Sequence, residues 1–441
     1  MKKTTATVGL FVMFLLLGAA GQENNRLPNR IEDPVIVPGK SFPGLAGLPQ
    51  SRLALFRYAG QYLPIPFQLD ERDRAGQYVF VKGAVTGKDD VAGLDANDEL
   101  VFMAFDAGGK APASAPAGTG AGAEIEITDP VTGDRAYAYL FSFASSPPRS
   151  NLDYVTYDVD PAKGVRVQGQ TYITQSPIGS IYYTYQSLRR ADGTWTPDLA
   201  DRLKIRGDLS ALMGMVDAGY QFDDLVKSQV TGWIDGPVRV VRRGEGYLQV
   251  AGMDIRGAGD SIGYYYPSYF IYPMMIDFPV NLRTFLTDIT IHGATDFTRA
   301  AFGAHYYDAQ NPYNENIVLD GKMSAEEKKM NRTHDHGWLA LVHPQWASIH
   351  RLFFPKEWSF IRKQVYYRDD PTFKDPPEDD PGEFAVGYEF TNFIGVSKGA
   401  ITYYMHYYFP ANFKVGDEKR ILDIQDRPLI TAVTAIAPAG Q

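Results

Sequence analysis

The sequence predicts an all-β protein built as two antiparallel β-sandwich domains, the second larger and of supersandwich type, with few short helices. Three observations carry this. Tyr and Phe number 28 and 25 against 5 Trp, and such rings favour pleated, half-buried surfaces. Gly and Pro number 42 and 29, and they cut the chain into short runs by turn chemistry. Many of those runs alternate apolar and polar residues, the period of a strand with one buried face.

In chain order, MKKTTATVGLFVMFLLLGAAGQ reads as a secretory signal peptide. It has Lys2 and Lys3, an apolar run from Val8 to Leu17, and small residues from Gly18 to Gly21. Cleavage after Ala20 or Gly21 would deliver a chain to the periplasm or the exterior with no transmembrane anchor. The absence of cysteine excludes disulfides, thiolate metal sites and iron–sulfur clusters, so stability must come from hydrophobic cores. A net charge of -9 without a basic stripe argues against nucleic acid as a partner.

The first domain is expected over residues 24–150. YLPIPFQLD puts Ile65, Phe67 and Leu69 on one face, and AEIEIT and RAYAYLFSF flank DPVTGD as a hairpin. KAPASAPAGTGAGAE is low-complexity loop, and the prolines of SSPPRS mark the boundary. The second domain is expected over 151–441. YVTYDVD, GQTYIT and SIYYTYQSL continue the strand signal, and GPVRVVRRGEGYLQVAGMDIRG reads as a strand pair. One helix is expected at GDLSALMGMV, where Leu209, Leu212, Met213 and Val216 share a helical face. Another is expected to open at Ser324, with Glu327 completing a capping box. Pro267, Pro273 and Pro279 suit edge strands, DDPTFKDPPEDDPGE is a surface loop, and GEFAVGYEFTNF and KGAITYYMHYYF close the chain as two long strands.

Four of the seven histidines fall within THDHGWLALVHPQWASIH. His334 and His336 lie two apart, so on a strand both rings share a face, a spacing that suits a divalent metal held by neutral imidazole. His343 and His350 bracket PQWASI, a hairpin mouth that would bring those rings together. His336 to His343 is about 23 Å if extended at ~3.3 Å per residue, so the four make two pairs. Three readings stand for the first pair: metal ligation by His334 and His336, acid/base work by His334, Asp335 and His336 with Glu389, or hydrogen bonding at loop ends. The second pair reads as structural, and His292, His305 and His406 remain as outside partners.

The acidic run GKDDVAGLDANDE holds Asp89, Asp90, Asp95, Asn97, Asp98 and Glu99 within eleven residues and offers Asp95, Asn97, Asp98 and Glu99 above all as oxygen ligands for Ca²⁺, though its spacing is not that of an EF-hand, and a solvated turn is the alternative. Tyr264, Tyr266, Tyr269 and Tyr272 in GYYYPSYFIYP would stack on sugar faces if exposed and form core if not. Phosphate loops, a GxSxG elbow and HExxH are absent.

PIPFQLDERD (Pro64–Asp73) followed by LDANDELVFMAFDAG (Leu94–Gly108) resembles a pattern at the start of secreted bacterial β-sandwich proteins, some of which accompany polysaccharide breakdown. GPVRVVRR (Gly236–Arg243) is similar to strands of the galactose-mutarotase-like class. The resemblance covers about a tenth of the chain and places no catalytic residue. It implies an exported protein that binds or processes carbohydrate. The alternatives are a non-enzymatic component of an envelope or surface assembly, docked to another protein, and a histidine-ligated metal or b-type haem protein.

Overall fold

A computed structural model describes residues 26–112, 115–178, 180, 182–211, 216–221, 226–250, 253–278, 281–284, 286–334, 337–395 and 399–438. The signal-peptide reading, the small residues at its end included, therefore lies outside the described residues. Strands take 46% of the chain, about twice the usual share of roughly 20–25%, and they pair in antiparallel sheets, so the protein is all-β and sandwich-like. The chain divides into two compact units. The first takes the described residues up to Gly76, Asp90–Leu152 and those from Asp423 on; the second takes Gln77–Asp89 and Asp153–Leu422. The sequence reading gave everything after 150 to the second domain, whereas the last stretch of chain belongs to the first.

With strands numbered in chain order, the first unit has two sheets. One runs β1 (Pro34–Pro38), β6 (Glu99–Met103), β4 (Gln68–Asp70). The other runs β26 (Ile430–Ile436), β7 (Thr119–Thr128), β8 (Arg135–Phe143), β2 (Leu53–Tyr58), β3 (Tyr62–Pro64). Val35, Val37, Leu69, Leu100 and Phe102 of the first sheet meet Leu53, Leu55, Ile125, Ile127, Ala138 and Leu140 of the second in one core, the anatomy of a sandwich. Ile65 and Phe67 join it, as alternation predicts. β7 and β8 form the expected hairpin, with Thr128 opposite Arg135.

The second unit has three sheets. The first runs β12 (Tyr185–Leu188), β11 (Tyr172–Ser176), β10 (Gly164–Gln168), β9 (Thr156–Asp160). The second runs β14 (Val216–Gln221), β13 (Ala200–Ala211), β19 (Leu286–Phe297), β24 (Glu383–Thr391), β23 (Arg362–Asp370). The third has nine strands: β20 (His305–Tyr307), β21 (Trp338–His343), β22 (Trp346–Phe353), β25 (Gly399–Tyr408), β18 (Tyr269–Phe278), β17 (Met253–Tyr265), β16 (Val240–Val250), β15 (Val226–Asp235) and β5 (Lys82–Gly83). Aromatic rings fill the space between sheets. Phe390 of β24 packs on Tyr403 of β25 at 5.3 Å, and Tyr172 of β11 on Phe270 of β18 at 5.5 Å.

Several expectations are corrected. Leu209 and Val216 lie in strands β13 and β14, because pairing of β13 with β19 and of β14 with β13 satisfies the backbone that a helix would have had to satisfy internally; Leu212 and Met213 fall outside the described residues. The capping box does form. Ser324 Oγ accepts from the Glu327 amide at 3.1 Å and Glu327 Oε2 from the Ser324 amide at 2.6 Å, but it opens a single 3₁₀ turn, Glu327–Lys329. The proline-broken β18 is central, not an edge. Its pairing with β17 stops after Phe270 and Ile271, before Pro273, so the missing N–H is never demanded on that side. After β25 the chain makes one α-helix, α1 (Glu418–Asp426), and then β26, so the two long strands do not end it. Among the described residues no helix is long and apolar enough to cross a membrane.

Candidate functional site

Each described histidine packs against an aromatic ring: His292 on Tyr366, His305 on Tyr313, His334 on Tyr388, His343 on Trp346, His350 on Tyr407 and His406 on Phe353. Burial dictates this. A neutral imidazole loses least water when a flat apolar surface replaces it, and burial pushes His350 and His406 down to about 3. His334 is fully buried at 0% exposure, and Asp335 and His336 lie outside the described residues. Glu389 does not join His334. The ring meets Tyr388, and its strand neighbour Glu389 points to the other face of β24. Among the described residues, no group of three or more metal-binding side chains at mutual ligand distance includes a histidine.

His343 and His350 do not meet at the hairpin mouth either. His343 pairs with Trp346 across a two-residue turn, and His350 pairs with Leu339. The tyrosine platform is core: Tyr266, Tyr269 and Tyr272 are buried, with Tyr266 stacked on Tyr269 at 4.6 Å and Tyr269 on Tyr408 at 4.9 Å. Tyr264, half-buried, stacks edge-on against Tyr78. The proposed calcium ligands are committed to their own turn. Asp98 Oδ1 accepts from the Arg72 amide at 3.0 Å and Oδ2 from the Asp95 amide at 2.8 Å. Asp95 Oδ1 accepts from the Asn97 amide at 3.0 Å, Asn97 Nδ2 donates to the Asp73 carbonyl, and Glu99 pairs with Arg72 at 2.7 Å. Asp98 and Glu99 thus spend oxygens on backbone amides and a guanidinium, while Asn97 Oδ1 is buried with no partner.

Glu389 does have a histidine opposite it, His292 of β19, on the outward face of the five-stranded sheet. That face gathers charge. Lys204 Nζ lies 2.6 Å from Asp296 and donates to the Asp375 carbonyl, Arg206 Nε bonds Asp375 at 2.8 Å, and Glu383 takes Tyr366 OH at 2.7 Å and Arg368 Nε at 2.9 Å. Burial raises Asp296 to about 6 against the pull of Lys204, and lowers His292 to about 4. These groups answer one another and anchor the loop that follows β23, the stretch read as a surface loop, so their chemistry is structural.

A cavity of about 420 Å³ opens in the second unit where four separated stretches converge. Gln170 and Thr171 precede β11, Arg189–Ala191 and Gly193 follow β12, His343–Ala347 span the β21–β22 turn, and Pro410–Phe413 follow β25. Each stretch is fixed locally. Both the Gln170 and Thr171 amides donate to the Pro267 carbonyl. In the Arg190–Thr194 turn the Gly193 amide donates to the Arg190 carbonyl at 2.9 Å, and Gly193 has φ +84, a conformation that favours glycine. His343 Nδ1 accepts the Gln345 amide at 3.2 Å, which leaves the ring proton on Nε2. Burial first, then the nearby Arg190, pushes the His343 imidazole down, so at neutral pH it is an uncharged donor stacked 5.4 Å from Trp346.

The lining contains no Asp or Glu. Arg189 and Arg190 bond only backbone carbonyls and Thr194 Oγ1, and among the described residues no carboxylate lies within 4.0 Å of either guanidinium. Arg190 Nε and Thr171 Oγ1 are buried with no hydrogen-bond partner. Two arginines, amides of Gln170, Gln345 and Asn412, and an imidazole–indole wall thus surround one cavity of ligand size. The sequence reading missed it because it weighed histidines as ligands; the signal it held was the pair SLRRADGTW, two arginines entering a tight turn, and His343 was taken as structural. No family model and no curated protein matches the chain, so its function rests on this geometry.

Proposed function

We propose that the chain is an exported β-protein that binds carbohydrate, and that the sugar sits in the cavity between the Arg189–Gly193 turn and the β21–β22 turn. One observation carries the reading: a cavity of about 420 Å³ walled by His343 on Trp346 and rimmed by side-chain amides. Sugars present apolar ring faces and a girdle of hydroxyls. An aromatic wall matches the first and Gln170, Gln345 and Asn412 match the second. A lining without carboxylates favours binding over glycoside hydrolysis, which ordinarily needs two of them flanking the bond.

A glycan array followed by calorimetric titration tests this. His343→Ala and Gln345→Ala should each weaken binding of the array's best glycan about tenfold, the loss of one good contact of about 1.4 kcal/mol. Both should leave the thermal midpoint nearly unchanged, since Gln345 is exposed and His343 half-buried. Failure of the native chain to bind any glycan, or full affinity in both variants, would contradict the proposal.

A further inference from the structure

We propose that the sugar in this cavity carries an anionic substituent, a carboxylate or a sulfate, read by Arg189 and Arg190; the inference rests on the carbohydrate reading above. The chain carries a net charge of -9, yet the cavity lining has two arginines and no acid. Several arginines packed into this fold pair with a carboxylate, Arg30 with Asp129, Arg206 with Asp375, Arg368 with Glu383 and Arg72 with Glu99, while Arg239 and Arg242 lie against tyrosines. Among the described residues Arg189 and Arg190 have no carboxylate within 4.0 Å, although Asp192 of the same turn accepts from Thr194 Oγ1, to which Arg190 also donates, and feels the Arg190 charge. Their bonds go to the carbonyls of Gln170, Gly193 and Trp195 and to Thr194 Oγ1, which fixes the side chains, and Asp192 offsets only the Arg190 charge and only from beyond ion-pair distance. Arg190 Nε is buried with no acceptor, so the guanidinium meets the cavity through its other nitrogens.

The geometry favours a planar or tetrahedral oxyanion over a plain hydroxyl. Guanidinium donors form a fixed fork that matches carboxylate or sulfate oxygens two at a time. A neutral hydroxyl offers one oxygen and would leave the charge unanswered. His343, uncharged with its proton on Nε2, adds a donor beside Arg190.

The test is calorimetry on the full mature chain with three trisaccharides: a uronate, its carboxyl-reduced neutral counterpart, and a sulfated form of that neutral sugar. The uronate, the sulfated sugar or both should bind at least about tenfold more tightly than the neutral sugar, the scale of one charge-assisted hydrogen bond. The tighter of the two identifies the anion. That preference should shrink as KCl rises from 20 to 300 mM, by about the screening such a change imposes. Arg189→Gln, whose side chain is exposed, should erase most of the preference for the anionic over the neutral sugar. Arg190→Lys keeps the charge, loses the fork, and should reduce it in part. Equal affinity for all three sugars would overturn the anionic inference and leave the sugar site standing. Binding of none of them, with glycans positive on the array, also overturns it; binding of no glycan at all removes the carbohydrate reading with it.

Discussion

His350 is 2% exposed, its Nε2 lies 2.9 Å from Ser348 Oγ, and burial holds its imidazole down to about 3. The sign of the consequence follows from proton counting. Below pH 6.5 the unfolded chain protonates this histidine and the folded chain does not, so the unfolded state binds more protons and stability falls as pH falls, until the folded state also protonates near 3. His350→Gln keeps a partner for Ser348 and cannot titrate. Between pH 6 and 4 its stability should fall less steeply than the native chain's by about 1.4 kcal/mol per pH unit, the weight of one proton. Urea melts across that range measure it, and parallel curves would remove His350 from the acid response. Asp33 works in the opposite sense. Burial outweighs Arg30 and raises it to about 7, so its share of stability is complete below pH 3.8 and is lost as pH rises through 7.

At the scale of elements, one buried side chain ties the last chain segment to the first unit before its strand pairs. Arg30 is 1% exposed and reaches Asp129 at 2.7 Å, Asp33 at 3.2 Å, and the carbonyls of Asp423 and Arg427. β26 then closes the five-stranded sheet against β7, and Val433 packs on the shared core. Arg30→Ala leaves two buried carboxylates and two carbonyls behind and should cost about 3–5 kcal/mol. Hydrogen exchange should localise the loss to Ile430–Ile436 and its partner β7. A melting point unchanged within a degree would show that β26 holds without the arginine.

Strands and hairpins such as β7–β8 and β21–β22 were legible because alternation and turn chemistry are local. The place of a strand in its sheet was not. The prolines around β18 pointed to an edge, yet the strand is central because its ladder to β17 ends before Pro273. The helix read at Leu209 was outvoted by β19, whose partner lies some eighty residues away in the chain. Tyr266, Tyr269 and Tyr272 could not be sorted between core and platform from a sequence that gives period but not which face is covered.

The whole molecule sets an acidic chain around a cavity lined by two arginines and no acid. The histidine pair from which chemistry was expected is represented among the described residues by a buried ring, while the pair read as structural contributes His343 to the cavity wall. The four stretches that build the wall come from different sheets and turns, so no local motif announces them. Charge also sets what the site favours at a distance: clefts with one sign of charge concentrate ligands of the other, most strongly at low salt.

The central claim is that a sugar binds in this cavity. Hydrogen exchange of the full chain, with and without the tightest-binding glycan at saturation, tests it most directly. The account predicts slowed exchange at the amides of Gln170–Thr171, Arg189–Gly193, His343–Ala347 and Ala411–Phe413, with the first unit unchanged. Protection confined to another part of the chain, or none at saturation, would contradict it.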